Sequence, residues 1–340
     1  MQFGSGQKVF LFQGLVLALC IFLITACGSP NPGAPPQGVR EAGLDPQAEA
    51  FLKSEKPKVV ATTTILADLI RNVAGENFAV FSILRPGVDP HVYESTPGDS
   101  RVISGADLIF SNGLYLEPKL IKVIAATENP APKITVAEAG NIQPLKPVER
   151  SGLFTADPHC WGSPDNAIRY VDTIEKALAQ HFPDQKATFA ANASRYRRQI
   201  QALGGWIKGQ IATIPPEKRF LVTSHDAFQY YSKFANLPVL GSILGLSTEE
   251  EPSVKKITTL VEKVKKAGAV AVFTETSTSP KLITALARES GVKIGGALYS
   301  DSLGIEGSQG DTYLKSMAAN TQTIVEALGG TYTAFVPSTP

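Results

Sequence analysis

One tripeptide occurs twice in this sequence, as Asp89-Pro90-His91 and again, 68 residues later, as Asp157-Pro158-His159. Proline fixes its own φ and keeps the residue before it extended, so each histidine sits on a stiffened turn after an apolar run. With only four histidines in 340 residues, a repeat that uses two of them stands out. A stiff turn suits a metal ligand, because little ordering is left to do when the ion arrives. A third histidine, His225, follows Phe220-Leu221-Val222-Thr223 and so falls at the carboxyl end of an expected strand, where open α/β sheets bind ligands. Asp301, in Leu298-Tyr299-Ser300-Asp301-Ser302-Leu303-Gly304, also follows a short strand-like run. The next intervals, 66 residues from His159 to His225 and 76 from His225 to Asp301, put each residue in a different βα unit. All four can then converge on one cleft. Three neutral imidazoles and one carboxylate are a four-coordinate set for Zn²⁺, with bonds of about 2.0–2.2 Å. The plainer alternative is three unrelated loop residues and a helix-capping aspartate.

Neighbouring residues extend the idea without settling it. Glu275 ends the run Ala269-Val270-Ala271-Val272-Phe273, where a carboxylate either orients an imidazole or caps the following helix. Asp89, Asp157 and Asp226 adjoin candidate histidines, but side chains adjacent in sequence often diverge, so adjacency assigns them no role. Cys160 adjoins His159. His181, before Phe182-Pro183, belongs at a helix end, where it interacts with the helix dipole rather than with metal.

Other chemistries are poorly served. Ser224-His225-Asp226 holds the three residue types of a hydrolytic triad, but consecutive side chains cannot form a relay, and there is no Gly-x-Ser-x-Gly elbow. A Walker loop and a Gly-x-Gly-x-x-Gly turn after a strand are both missing. Lys plus Arg number 32 against 31 Asp plus Glu, so a net charge of +1 gives no reason to expect nucleic acid. Three cysteines, with no Cys-x-x-Cys, make neither a zinc-finger array nor a disulfide scaffold.

The elements that must carry these residues alternate from Lys58 onward, short β-branched runs with helical stretches, which is an α/β pattern with parallel strands. Strands are expected over 59–63, 79–84, 108–111 and 134–136, with helices over 65–74, 98–104 and 118–126. A second set follows, with strands over 220–223, 239–242, 269–274 and 293–295 and helices over 253–266, 280–289 and 311–328. Two similar halves result. Between them lies a helix over 165–181 and then 184–213, which has no proline. As one helix of about 30 residues the latter spans about 45 Å and bridges both halves; otherwise it is two helices broken at Gly204-Gly205.

The first segment reads as an address. Residues 9–26 are apolar except for Gln13, Gly14 and Thr25, follow Lys8, and end in Ile24-Thr25-Ala26-Cys27. This ending resembles a bacterial lipobox, which implies a signal peptide over 1–26 and lipidation of Cys27; the rival is an uncleaved anchor. The Pro- and Gly-rich residues that follow predict a flexible tether over 27–57. Cys20 leaves with the signal and Cys27 carries lipid, so Cys160 has no partner for an intramolecular disulfide.

From about Val59 to Leu328 the chain resembles the metal-binding receptors of bacterial ABC transporters for zinc and manganese, the cluster 9 or class A-I solute-binding proteins. The likeness lies in TTTILADLIRNV over 62–73, GVDPHVYEST over 87–96, DLIFSNGLYLE over 107–117, DPHCWGSP over 157–164, SHDAF over 224–228 and GGALYSDSLG over 295–304. The resemblance implies two Rossmann-like lobes, each with a four-stranded parallel sheet, at 58–182 and 215–330. A long rigid helix over 183–214 joins them, and the metal lies in the interlobe cleft. It implies His91, His159, His225 and Asp301 as ligands of Zn²⁺ or Mn²⁺. It also implies a non-enzymatic, monomeric lipoprotein outside the cytoplasmic membrane that delivers its ion to a permease with a cytoplasmic ATPase. In that family Glu at the third position is associated with manganese, whereas His occurs in zinc receptors and in some manganese ones, so His225 leans toward zinc without settling it. The His-rich acidic loop of dedicated zinc receptors is absent, since 139–158 holds no histidine, and Cys160 and Gly162 replace the usual Ala and Leu. The rival readings are a zinc hydrolase with Glu275 as acid or base, and a surface adhesin.

Overall fold

The computed structural model describes residues 44–145, 148–150 and 153–337. The proposed signal segment and Cys27 lie outside them. Among the described residues no helix is long and apolar enough to cross a membrane.

In chain order the N-terminal half contains α1 (Pro46–Lys53), β1 (Lys58–Ala61), α2 (Thr64–Ala74), β2 (Ala79–Ser82), α3 (Pro97–Ser104), β3 (Leu108–Ser111), α4 (Pro118–Ala126), β4 (Lys133–Thr135) and α5 (Val136–Ala139). A short antiparallel hairpin follows, β5 (Val148–Arg150) with β6 (Leu153–Thr155). Next come α6 (Pro164–His181) and α7 (Lys186–Ala212). The C-terminal half contains β7 (Leu221–Thr223), α8 (Gln229–Ala235), β8 (Val239–Ser242), α9 (Val254–Ala267), β9 (Ala271–Glu275), α10 (Lys281–Ser290), β10 (Lys293–Leu298) and α11 (Tyr313–Ala327).

Strands β1 to β4 form one parallel sheet in the order β2-β1-β3-β4. Val59, Val60 and Ala61 of β1 are fully buried, as a central strand covered on both faces requires. After it the Thr63 side chain caps α2 by accepting from the Leu66 N–H, and Ile65, Leu66, Leu69, Ile70 and Val73 turn one apolar stripe into the core. The C-terminal half has four parallel strands in two hydrogen-bonded pairs, β7 with β8 and β9 with β10, and β7 lies alongside β9. The ladders shift register at Leu221/Val222 and at Ile294/Gly296, where Gly296 takes φ +142°. This glycine bulge hides the full length of β10, which the sequence pattern ends at 295.

α7 is one uninterrupted helix, not two. Phe189, Ala193, Tyr196, Ile200, Leu203, Ile207 and Ile211 recur at three- and four-residue steps and are all buried. They join a single core shared with α2, α6, α8 and α11, so tertiary burial outweighs the propensity cost of Gly204 and Gly205. Gly204 is a site of close approach, since a Cβ there would meet Phe234 Cζ at 2.9 Å and Pro164 Cβ at 3.2 Å.

One expectation needs correction. The tether predicted over 27–57 does not extend that far, because Pro46–Lys53 is a helix capped by Asp45, with Ala48 and Phe51 buried and the Phe51 ring tilted against Phe81 at 5.3 Å between centroids. The cap, Pro at the first helical position and an apolar pair three residues apart outweigh the Pro- and Gly-rich composition just before them. The sequence pattern also passes over α8 and the hairpin.

Candidate metal centre

His91 lies in the loop after β2, His159 just before a 3-10 turn at Cys160–Gly162 that leads into α6, His225 after β7, and Asp301 after β10. All four are at most 2% exposed. One donor atom from each lies within 4.8 Å of every other. The inward atoms of the imidazoles are Nε2. His91 Nε2 is 3.3 Å from His159 Nε2, while Asp301 Oδ1 is 3.3 Å from His159 Nε2 and Asp301 Oδ2 is 3.1 Å from His225 Nε2 and 3.8 Å from His91 Nε2.

The repeated tripeptide explains two of these positions. In each copy the aspartate Oδ1 accepts the histidine's own backbone N–H, at 2.9 Å for Asp89 and 3.0 Å for Asp157. This is the local turn that Asp favours, and the proline between makes it stiff. Asp157 Oδ1 also lies 2.7 Å from His159 Nδ1. Glu275 performs the parallel task across strands: Oε1 accepts the His225 N–H at 2.8 Å and Oε2 lies against Nδ1. Glu275 thus contacts both the backbone and the ring of His225. With Nδ1 engaged, the free lone pair is on Nε2, facing the cluster.

The electrostatics are those of a cation site. Burial alone pushes His159 down, but Asp157 and Asp301 outweigh it and carry the imidazole up to about 9. Burial likewise opposes protonation of His225, and Glu275 with Asp301 drives it well above its ordinary value. Burial would raise Asp301, yet His225 and His159 hold it well below the usual carboxylate range. Neither Asp301 oxygen meets a donor in hydrogen-bond geometry. A buried carboxylate so placed is costly unless a cation neutralises it, and three imidazole nitrogens and a carboxylate are donors that fit a divalent ion.

The other candidates lie elsewhere. Asp226 turns to Gln229 Nε2 at 2.7 Å, and His181 occupies the last turn of α6 as expected. Cys160 is fully buried, its Sγ 3.8 Å from the Asp157 carbonyl, and burial pushes its thiol up to about 12. The sequence reading passes over Glu117, Asn112 and Thr248. Glu117 is fully buried, takes Thr62 Oγ1 at 2.7 Å and Asn112 N–H at 2.6 Å on Oε1, and burial raises it to about 7. Asn112 Nδ2 in turn donates to the Pro158 carbonyl at 3.0 Å, tying the His159 turn to the carboxyl ends of β1 and β3. Glu117 and Asn112 lie within the DLIFSNGLYLE stretch; no pairing rule in the sequence marks them.

The family profile for zinc-uptake complex component A, periplasmic (ZnuA), matches residues 59–327. The chain belongs to this family. Within it, the chain is similar to the manganese-binding lipoprotein MntA of Halalkalibacterium halodurans, 34% identical over 320 residues that cover 94% of this chain and 98% of the relative. Among solved structures it is similar to the periplasmic zinc-binding protein TroA from Treponema pallidum, with 32% identity, a TM-score of 0.76, and coverage of 80% of this chain and 99% of that one. It is also similar to an Mn-bound periplasmic metal-binding protein from Candidatus Liberibacter asiaticus, at 28% identity, a TM-score of 0.72, and 80% and 100% coverage. The ZnuA family is one of uptake-complex components, not enzymes, and the hydrolase reading falls with that. Glu275, the general base that reading needs, is already engaged with His225.

Proposed function

We propose that this chain is the extracytoplasmic substrate-binding component of a metal ABC transporter. It captures one divalent ion on His91, His159, His225 and Asp301 and hands it to a membrane permease driven by a cytoplasmic ATPase. The observation that carries the reading is the convergence of four buried donors from four separate loops, with Asp301 lacking any hydrogen-bond donor. Three neutral imidazoles and one carboxylate leave a charge of about +1 on the bound ion, and Asp157 and Glu275 behind two of the imidazoles offset it. No step changes the ion. The protein's work is to strip water from it, hold it, and let it go.

The cargo in this reading is Zn²⁺, with Mn²⁺ as the second candidate. Nitrogen-rich sites bind zinc more tightly than manganese by the Irving–Williams order, so availability in the envelope decides which ion arrives. Membership of the family and the manganese-binding name of the H. halodurans relative support the class of cargo. The same reading takes residues 58–182 and 215–330 as lobes joined by 183–214, 1–26 as a signal peptide, and the protein as a monomer anchored through acylated Cys27.

The test is titration of the purified protein with Zn²⁺ and Mn²⁺ separately, against His225→Ala, with native mass spectrometry to count ions. One ion per chain, and an affinity at least 100-fold weaker in His225→Ala, is expected. An equal affinity in the variant, or no binding by the parent, overturns the assignment.

A further inference from the structure

The loop after β8 connects the flanks of two candidate ligands that come from opposite halves. At its start it is tied to both neighbours of His225: Leu244 N–H donates to the Ser224 carbonyl at 2.9 Å, and Asp226 N–H donates to the Gly245 carbonyl at 3.0 Å. Ser242 Oγ donates back to the Leu244 carbonyl at 2.8 Å, and Leu246 is buried. Two residues after Leu246, Thr248 Oγ1 donates to Asp89 Oδ2 at 2.5 Å. The other oxygen of that carboxylate, Oδ1, receives the His91 N–H. Beyond Thr248 the strap reaches the surface, where Glu249 lies 4.0 Å from Lys119 of α4.

The two ends of the strap differ in kind. The His225 end is held by backbone hydrogen bonds inside the C-terminal half. The His91 end meets the N-terminal half through the Thr248 hydroxyl on a partly buried side chain, with exposed Glu249 lying 4.0 Å from Lys119 beyond it. The four donors are nearly inaccessible, so an ion that leaves must part these loops, which the Thr248–Asp89 hydrogen bond ties together. We infer that Thr248 is a positioning residue that latches the His91 turn to the His225 side of the cleft and sets how fast the bound ion escapes. It touches no metal and acts through Asp89. A hydrogen bond onto a carboxylate is among the stronger kinds, so its loss shows in the rate of opening rather than in the identity of the donors.

The inference rests on the metal-receptor reading, and its test separates the two. The full chain is loaded with Zn²⁺ alone, and release is followed by stopped-flow mixing with excess chelator for the parent, Thr248→Val and Thr248→Ser. Thr248→Val removes the hydroxyl at nearly constant shape; Thr248→Ser keeps it. The expected result is release faster by about tenfold in Thr248→Val, equivalent to about 1.4 kcal/mol, with Thr248→Ser within about twofold of the parent. Release from Thr248→Val at the parent rate overturns the inference, as does Thr248→Ser releasing as fast as Thr248→Val. A parent that binds no zinc instead overturns the receptor reading itself. Hydrogen exchange on the parent guards against a variant that does not fold. Amides over 244–251 become more protected on zinc loading if the strap is a latch, and unchanged protection overturns it.

Discussion

Glu275 holds His225 at two points, taking its backbone N–H on Oε1 at 2.8 Å and meeting its Nδ1 with Oε2. The pair is fully out of water and joins the ends of β9 and β7. A carboxylate behind a ligating imidazole fixes the ring and raises its basicity, and its loss commonly lowers metal affinity 10–100-fold. Glu275→Gln keeps the size and the acceptor at Oε1 but removes the charge. Zinc affinity by chelator competition is expected to fall about tenfold or more, with the far-UV circular dichroism of the parent. An unaltered affinity means that the backbone contact alone positions His225.

Acid is expected to weaken capture over a defined range. His159 is carried up to about 9 in the metal-free fold, above the ordinary imidazole value of 6.5. Its protonation therefore stabilises the metal-free protein fully below about pH 6.5, and that contribution is lost as pH rises through about 9. The ion needs the neutral ring and competes with the proton throughout this window. Zinc affinity should rise steadily from pH 6.5 to 9, and the rise in Tm on zinc loading should grow with it. Competition titrations and thermal melts at four pH values check both; a flat profile below pH 9 sinks the argument.

Most elements, and the turns that place His91 and His159, are legible because each leaves a local mark. The tripeptide announces the turns of His91 and His159, and β-branched runs announce the strands that end beside His225 and in Glu275. What was not legible depends on pairing across the chain. Nothing near Thr248 indicates Asp89, 159 residues away, and nothing at Glu117 indicates Thr62 or Asn112 as its donors. Composition misled at α1, where the proline-rich stretch before it suggested a longer tether. The glycines of α7 suggested a break, because helix propensity is local and the core that overrides it is not.

Gly204 and Gly205 give that last point a direct test. A Cβ at Gly205 meets nothing within 4 Å, whereas one at Gly204 presses on Phe234 and Pro164. Gly205→Ala is expected to stabilise by about 1 kcal/mol through helix propensity. Gly204→Ala gains the same propensity but overpacks, and should fall about 1–3 kcal/mol below Gly205→Ala. Urea midpoints of the two variants measure the difference. Equal midpoints contradict the close packing of α7 on α6 and α8.

Cys160 stands beside a candidate ligand but is not among the four clustered donors. Its Sγ approaches the Asp157 carbonyl, its side chain is fully buried, and burial pushes the thiol up to about 12. A thiol in that state is a poor nucleophile and a poor ligand, since both roles need the thiolate. Cys160→Ser should leave zinc affinity within about twofold, the hydroxyl taking the place of the thiol beside the Asp157 carbonyl. In the parent, a water-soluble disulfide reagent should label Cys160 only after denaturation. Rapid labelling of the native protein, or a large loss of affinity in Cys160→Ser, would place the sulfur in the site and add a fifth donor to the set.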